Sequence, residues 1–219
     1  MSFIIKNLPI LIVVTPLMFS LIVAVLSNNR LAWGISVLAS LLTMIFSILL
    51  CFEISDKNLI SYHLGNWPPP LGIEYIIDRI SIIPIMIISV IGLISTLFAH
   101  NFFTNEIDET LISKTYSLWL LAISGLMGLV TTADAFNLFV FLEISSLSAV
   151  ALVAMGSKMD RKALVAGYNY LILGAVGATF YVIGVGLLYG VTGTLNMSDL
   201  ANRLPSLGVN NSVIVAFAF

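Results

Sequence analysis

A single acidic side chain, Glu143, interrupts an apolar run from Ala135 to Gly156 that holds no other charge. Every other Asp, Glu, Lys and Arg falls at or outside the ends of such runs. An ionisable group at membrane depth costs about 2.5–3.5 kcal/mol on insertion scales, so it marks an ion or proton pathway by default. Moving a carboxyl from water into a low-dielectric site favours its neutral form, and a nearby cation does the opposite. A carboxyl whose partner comes and goes can therefore take up and release a proton near neutral pH. Ser146 lies three residues on, on the same helix face. Its hydroxyl can carry a hydrogen bond or hold a water beside the carboxylate, or it can simply pack.

All nine Lys and Arg residues fall in loops or at span ends, so none stands beside Glu143 within the spans. Glu143 is then either protonated much of the time, or paired beyond residue 219 or on another subunit. The competing reading makes Glu143 a cap at a mis-assigned span end. It would require a break before Glu143, yet Phe136, Leu138, Phe139, Val140, Phe141 and Leu142 precede it without a turn residue.

The elements that must hold this residue are membrane helices. Of the 219 residues, 59% are hydrophobic and only 9% are charged, where a soluble domain carries about 25% charged residues. Mean hydropathy is +1.09. A span needs about 20 apolar residues, and six complete ones can be read: Leu8–Leu26, Leu31–Phe52, Ile80–Ala99, Thr115–Thr131, Ala135–Gly156 and Ala163–Gly190. The expected fold is an all-α polytopic membrane protein forming a single membrane domain over residues 1–219. A seventh apolar run begins near Asn211 and reaches Phe219. It is too short to cross, so the chain reads as truncated, or as completed by a partner. Prolines 9, 16 and 84 fall in or beside the first and third spans, where buried neighbours must satisfy the backbone groups they free. The sixth span is long enough to need tilt or an overhang. Its glycines 167, 174, 177, 184, 186 and 190 suit close helix packing. Its polar Tyr168, Asn169, Tyr170 and Thr179 are candidates to line a hydrated path.

Loop charges set orientation. With the N-terminus outside, the inner loops hold Arg30, Lys114, Lys158, Arg161 and Lys162, against Lys6, Lys57, Arg79 and Arg203 outside. The Ser157–Lys162 cluster therefore faces the cytoplasm. The 53–79 loop carries His63, Trp67 and three consecutive prolines at 68–70. It reads as an ordered extracytoplasmic cap, and its stiff prolines argue against a linker. His63 has no second His or Cys at ligand spacing, and His100 reads as an interfacial residue at a span end. After the sixth span, Ser198 can cap a short helix through Pro205. Met197, Leu200, Ala201 and Leu204 fall on one face, with Asp199, Asn202 and Arg203 on the other. This is either an amphipathic surface helix or a loop with one helical turn.

Several functions are excluded. A net charge of −2 argues against a nucleic-acid partner. One cysteine, Cys51, allows no internal disulfide. There is no phosphate loop, dinucleotide glycine fingerprint, zinc ligand set or iron–sulfur cysteine spacing, so no cofactor or metal is expected on this chain.

Three stretches carry a family resemblance. Thr132-Ala133-Asp134-Ala135-Phe136-Asn137-Leu138-Phe139-Val140-Phe141-Leu142-Glu143-Ile144 resembles the T-x-D-L-F-N-L-F-V-F-x-E stretch of antiporter-like membrane subunits. Tyr62 to Ile73 resembles the loop between their second and third helices, and Leu188 to Asn196 the end of their sixth helix. Ala135 replaces the usual Leu. The chain most resembles the D-type subunits of Mrp-type multisubunit Na+/H+ antiporters, and next the pumping subunits of NADH:quinone oxidoreductase and membrane-bound hydrogenases. The resemblance implies that Glu143 is the proton-translocating glutamate of the fifth helix. It implies a lysine partner on a broken seventh helix, past this chain's last residue. It implies about fourteen helices in the family, of which this chain would hold three leading ones and part of the first inverted repeat. It further implies other membrane subunits as partners, protons and Na+ as the ions moved, and a multi-pass location in a prokaryotic inner membrane. The rival readings are a pumping subunit of the oxidoreductase, where the redox enzyme is the whole complex, and a non-transporting scaffold or relic.

Overall fold

A computed structural model describes residues 2–156, 160–208 and 211–219. Lys158 of the basic cluster lies outside them. Helix α1 (Ser2–Lys6) leads into α2 (Leu8–Val25) and α3 (Asn29–Lys57). Strands β1 (Leu59–His63) and β2 (Glu74–Asp78) follow, then α4 (Ile82–Glu106), α5 (Ile112–Thr131), α6 (Ala135–Met155), α7 (Lys162–Thr192), α8 (Met197–Leu207) and α9 (Asn211–Ala218). Helices α2 to α7 are each long and apolar enough to span a bilayer. The chain is a polytopic helical membrane protein, and the six expected spans are those helices.

Their ends run past the apolar cores. α3 extends five residues beyond Phe52 and α4 continues through Glu106, because helix geometry persists into the interface where polar side chains are solvated. His100 is therefore inside α4, its ring centroid 4.9 Å from that of Trp33 on α3. Local chemistry marks the boundaries. The side-chain carbonyl oxygen of Asn28 accepts from the backbone N–H groups of Arg30 and Leu31 and starts α3. Gly193, in the left-handed region at φ 70°, stops α7. The N-cap of α8 is Asn196, which accepts from Asp199 N–H at 3.0 Å. The expected cap, Ser198, sits inside the first turn. Pro9 occupies the first turn of α2, where its missing N–H costs nothing. Pro16 is inside α2. Beside it the Ser124 hydroxyl of α5 donates to Val13 O at 2.9 Å, so a neighbouring helix supplies a donor near the break.

α5 is the hub. It buries 61% of its apolar window, against 11% for α6 and for α7, and it packs on α2, α3, α4 and α6. α3 presents a buried stripe of small residues that includes Ala32, Ser36, Ala39, Ser40, Thr43 and Ser47. The hydroxyls of Ser36, Thr43 and Ser47 bond to the carbonyl four residues back. These side chains therefore need no water and let helices approach closely.

The 53–79 loop contains an antiparallel hairpin, where the sequence pointed only to an ordered cap. Its register pairs Ser61 with Ile76 and His63 with Glu74. Single bridges extend it, Tyr75 to Thr132 and Asp134 to Asn196. Ala133 N–H donates to Glu74 O, and Met197 N–H to Ala133 O. One end of the bundle is thus stitched together from the hairpin, the α5–α6 turn and the α7–α8 turn. Helix α8 turns Leu200 inward onto Ala135 and Val185, with Met197 and Leu204 beside it. Its expected apolar face is seen except for Ala201, which is exposed. Asp199 and Arg203 pair on the other side at 2.8 Å, and Arg203 also donates to Thr192 O.

Candidate functional site

Glu143 sits about 12 Å along α6 from its first residue and about 18 Å from its last, at roughly 1.5 Å per residue. That is mid-depth. It lines a cleft of about 650 Å³ walled by α5, α6 and α7. Glu143 and Ser146 are both half-buried and both face this space. Neither makes a hydrogen bond or ion pair among the described residues, and no Lys or Arg lines the cleft. The two predicted site residues are therefore brought together at one wall.

The tight side of the cleft is α5–α6. An added Cβ at Gly125 would stand 2.7 Å from Ser145 N, and one at Gly128 only 2.3 Å from the Phe141 ring. Ser145 and Phe141 flank Glu143 two residues on either side. Two glycines on the hub helix thereby fix the depth and facing of the carboxyl. The loose side is α6–α7. Gly174 places a would-be Cβ 3.1 Å from Ser146 Oγ, and at Gly177 nothing lies within 4 Å. Of the six α7 glycines expected to pack, 167, 174 and 184 meet a neighbour, and 177, 186 and 190 face open space.

At the hairpin end the cleft is bounded by Tyr181 of α7, whose hydroxyl donates to Ala135 O at 3.0 Å. Just beyond lies Asp134, 7% exposed, whose carboxylate caps α6 by accepting from Asn137 N–H at 2.7 Å. Burial raises the Asp134 pKa, against the lowering effect of the Asn137 and Phe136 N–H groups. Burial also pushes the Tyr75 phenol up to about 12, so this hairpin residue stays neutral. At the far end the cleft is bounded by Trp119 and Leu152 and by the half-exposed Tyr170. The space is large enough for a file of waters at about 30 Å³ each. A carboxyl, a serine hydroxyl and two tyrosine hydroxyls bordering one such space can bind a proton and pass it on.

Residues 132–219 match the family model described as NADH:quinone oxidoreductase/Mrp antiporter, TM. NADH-quinone oxidoreductase subunit N of Desulforudis audaxviator is 40% identical over 97% of this chain and 42% of its own length. A putative antiporter subunit mnhD2 of Staphylococcus aureus is 31% identical over 95% of this chain and 41% of its own. The chain is similar over most of its length to antiporter-like membrane subunits. Its backbone also superposes on a chain of the membrane-bound sulfane sulfur reductase, an archaeal respiratory membrane complex. The TM-score is 0.85 at 32% identity, covering 97% of this chain and 43% of that one. The chain spans about two fifths of the length of the curated relatives it matches.

Within the antiporter-like motif, Thr132, Asp134 and Asn137 prove to be one cap. Asn137 Nδ2 donates to Thr132 Oγ1 at 3.0 Å while its backbone N–H meets Asp134. The motif therefore contains both a helix start and, one span-half later, the carboxyl. Reading it only for Glu143 missed the capping half, which the D-x-x-N spacing ahead of an apolar run could have signalled. Trp119, Tyr181, Gly125 and Gly128 were also missed. Only Gly128 carries a local signal, since it lies four residues after Ser124 in the small-residue pattern of close helix contacts. Among the described residues no three His, Cys, Asp or Glu converge on a possible metal position.

Proposed function

We propose that this chain supplies a proton-translocating helical unit to a multisubunit cation/proton antiporter of the Mrp type, with Na+ as the counter-ion. Glu143 is the protonatable group and Ser146 its hydrogen-bonding neighbour. The N-terminus and hairpin end face the extracytoplasmic side of a prokaryotic inner membrane, and other membrane subunits pack against the exposed α6 and α7 faces. One observation carries this reading: a lone carboxyl at mid-depth opens into a largely apolar three-helix cleft that Ser146, Tyr170 and Tyr181 also border. Such a group has no structural task to repay its insertion cost. The family match and the likeness to a putative antiporter subunit support it.

The 40% identity to an NADH-quinone oxidoreductase subunit favours a second reading, a proton-pumping subunit of that oxidoreductase or of a related respiratory complex. The two share the Glu143 chemistry and differ in partners. Co-purification with small antiporter subunits supports the first reading, and with iron–sulfur or quinone-reducing subunits the second. The test of the common core is Glu143→Gln in the complete complex in sealed vesicles. Loss of proton-coupled transport of at least tenfold is expected, with assembly intact. Unchanged coupling would remove the relay role and leave a scaffold.

A further inference from the structure

A second and larger recess, of about 940 Å³, lies at the hairpin end of the bundle. Three elements enclose it: the α1–α2 junction with Lys6 and Asn7, the end of α3 with Glu53 and Lys57, and β1 with Ser61 and Tyr62. The Tyr62 hydroxyl donates to Asn7 Oδ1 at 2.9 Å and so ties the hairpin to the start of α2. Lys6 precedes one apolar span and Lys57 ends the next, so both stand at the same face of the bilayer. Lysine stems can lie along apolar surface while their ammonium groups reach the polar layer. The lining holds two lysines and one carboxylate. That carboxylate, Glu53, is already taken, because it pairs with Lys57 one turn on. His63 faces Glu74 at 3.6 Å across the hairpin. Lys6 makes no hydrogen bond or ion pair among the described residues. The two lysines and one glutamate therefore leave the recess with one uncompensated positive charge.

Apolar surface leads into this recess. Leu41, Ile45 and Leu49 follow one another at four-residue spacing on α3, all exposed, and the same surface row continues into Glu53 and Lys57. Phe52 beside it is 69% exposed. Leu41 to Phe52 covers about 16 Å at the helical rise, and one leaflet's share of the hydrocarbon core is about 15 Å. A polar hollow with one spare positive charge, reached by an exposed apolar row one leaflet long, suits an amphiphile with an anion at one end. We propose that the recess binds the headgroup of an anionic phospholipid, its single phosphodiester held by Lys6 and Lys57 and an acyl chain lying along Leu49, Ile45 and Leu41. One negative charge balances the lining. A zwitterionic headgroup brings an ammonium as well, and the carboxylate that lines the recess is occupied by Lys57. Bound there, the lipid bridges the start of α2, the end of α3 and the hairpin. The proposal is independent of the role of Glu143.

The experiment places the complete complex in phosphatidylcholine vesicles doped with phosphatidylglycerol that carries a photoactivatable diazirine near the headgroup end of one chain. Light should attach the probe to the Leu49–Glu53 stretch of α3, and the lipid mole fraction that half-saturates this labelling is the readout. One basic residue at an anionic membrane surface is worth about fivefold in binding, so Lys6→Gln should raise that fraction about fivefold. Glu53→Gln removes the competing carboxylate, frees Lys57 for the phosphate, and should lower the fraction by a similar factor. Damage to folding does not tighten a site, so the gain in Glu53→Gln carries the test even if Lys6→Gln fails to assemble. Unlabelled phosphatidylglycerol should displace the probe, while phosphatidylethanolamine and soluble glycerol phosphate in large excess should not. An unmoved fraction in Lys6→Gln, or no tightening in Glu53→Gln, overturns the proposal, as does absence of label from this stretch. Equal displacement by phosphatidylethanolamine would reduce the occupant to ordinary boundary lipid. Displacement by glycerol phosphate would make the recess a site for a free phosphate, and either result overturns the anionic-lipid assignment.

Discussion

Replacing Gly125 by alanine should separate α5 from α6 and disturb the wall that carries Glu143. The new methyl would meet Ser145 N at 2.7 Å, Ser145 Cβ at 2.8 Å and Ser145 Cα at 2.9 Å. Carbon contacts settle near 3.5–4.0 Å, so the helices must part by about 1 Å at this level. Two of the three clashing atoms are backbone, so no rotamer change relieves them. Overpacking of this kind costs about 1–3 kcal/mol. A glycine-to-alanine change also gains up to about 1 kcal/mol of helix propensity, which would mask the clash if Gly125→Ala were compared with wild type alone. Gly177→Ala is the matched control, because nothing lies within 4 Å of its new methyl. The difference between the two variants isolates the packing term, about 1–3 kcal/mol in favour of the control. Reversible denaturation of both variants in mixed micelles measures it. Gly125→Ala at least as stable as Gly177→Ala would refute the claim that backbone contact at Ser145 sets the α5–α6 distance.

Two further outcomes follow from the capped turns. Asp134→Asn should cap α6 about as well as the carboxylate, whereas Asp134→Ala should lose about 1 kcal/mol at that helix start; hydrogen exchange at the Asn137 amide reads the difference, and equal protection would show that the cap does not hold the turn. Asp78 and Asp134 should respond to acid in opposite senses. The Ser81 N–H and hydroxyl and the Ile80 N–H hold the Asp78 carboxyl below its ordinary value. Its stabilising contribution is therefore present above about pH 3.9 and lost as pH falls through its lowered value. Burial raises Asp134, so its contribution is complete below about pH 3.9 and lost as pH rises through its raised value. The stability lost in Asp78→Asn should therefore shrink as pH falls from about 7 to about 3, and that lost in Asp134→Asn should grow, as read by reversible denaturation in mixed micelles.

The sequence showed the spans and the carboxyl because both rest on signals that need no partner. A run of apolar residues is long enough or it is not, and a charge inside it is visible at once. The hairpin was hidden for the converse reason. Each strand is only five residues, and ten residues separate them in place of a tight turn. Its partners at Thr132 and Asn196 are far away in sequence. Small side chains were misjudged in both directions. The conspicuous glycines of α7 drew attention, and half of them face open space. Gly125 and Gly128 of α5 make the close contacts, because α5 is the helix surrounded on all sides. Spacing alone does not reveal which helix is central. Trp119 carried no signal at all, since its Nε1–H bond to Thr96 Oγ1 reaches another helix.

The packing around Glu143 is asymmetric in a way that bears on how a proton could be handed on. Toward α5 the contact is made by backbone and by a buried ring, at distances where even a methyl group has no room. α6 therefore cannot shift against the hub without cost, and the carboxyl keeps its depth. Toward α7 the nearest constraint is a serine hydroxyl that can rotate, and most of α7 is exposed. At the hairpin end α7 is held by the Tyr181 bond to Ala135 O and by the α8 cluster on Val185. At the far end no comparable clasp joins it to α5 among the described residues, and the cleft wall there is Trp119, tethered from behind. α7 does meet α6 at its far end, where a Cβ on Gly167 would stand 3.4 Å from Ala154 Cβ and Val150 O, so the open space beside Glu143 is confined to the middle of the α6–α7 seam around Gly177. On the proposed reading of Glu143, α5 is the rigid wall and this middle stretch of α7 the one with room to yield.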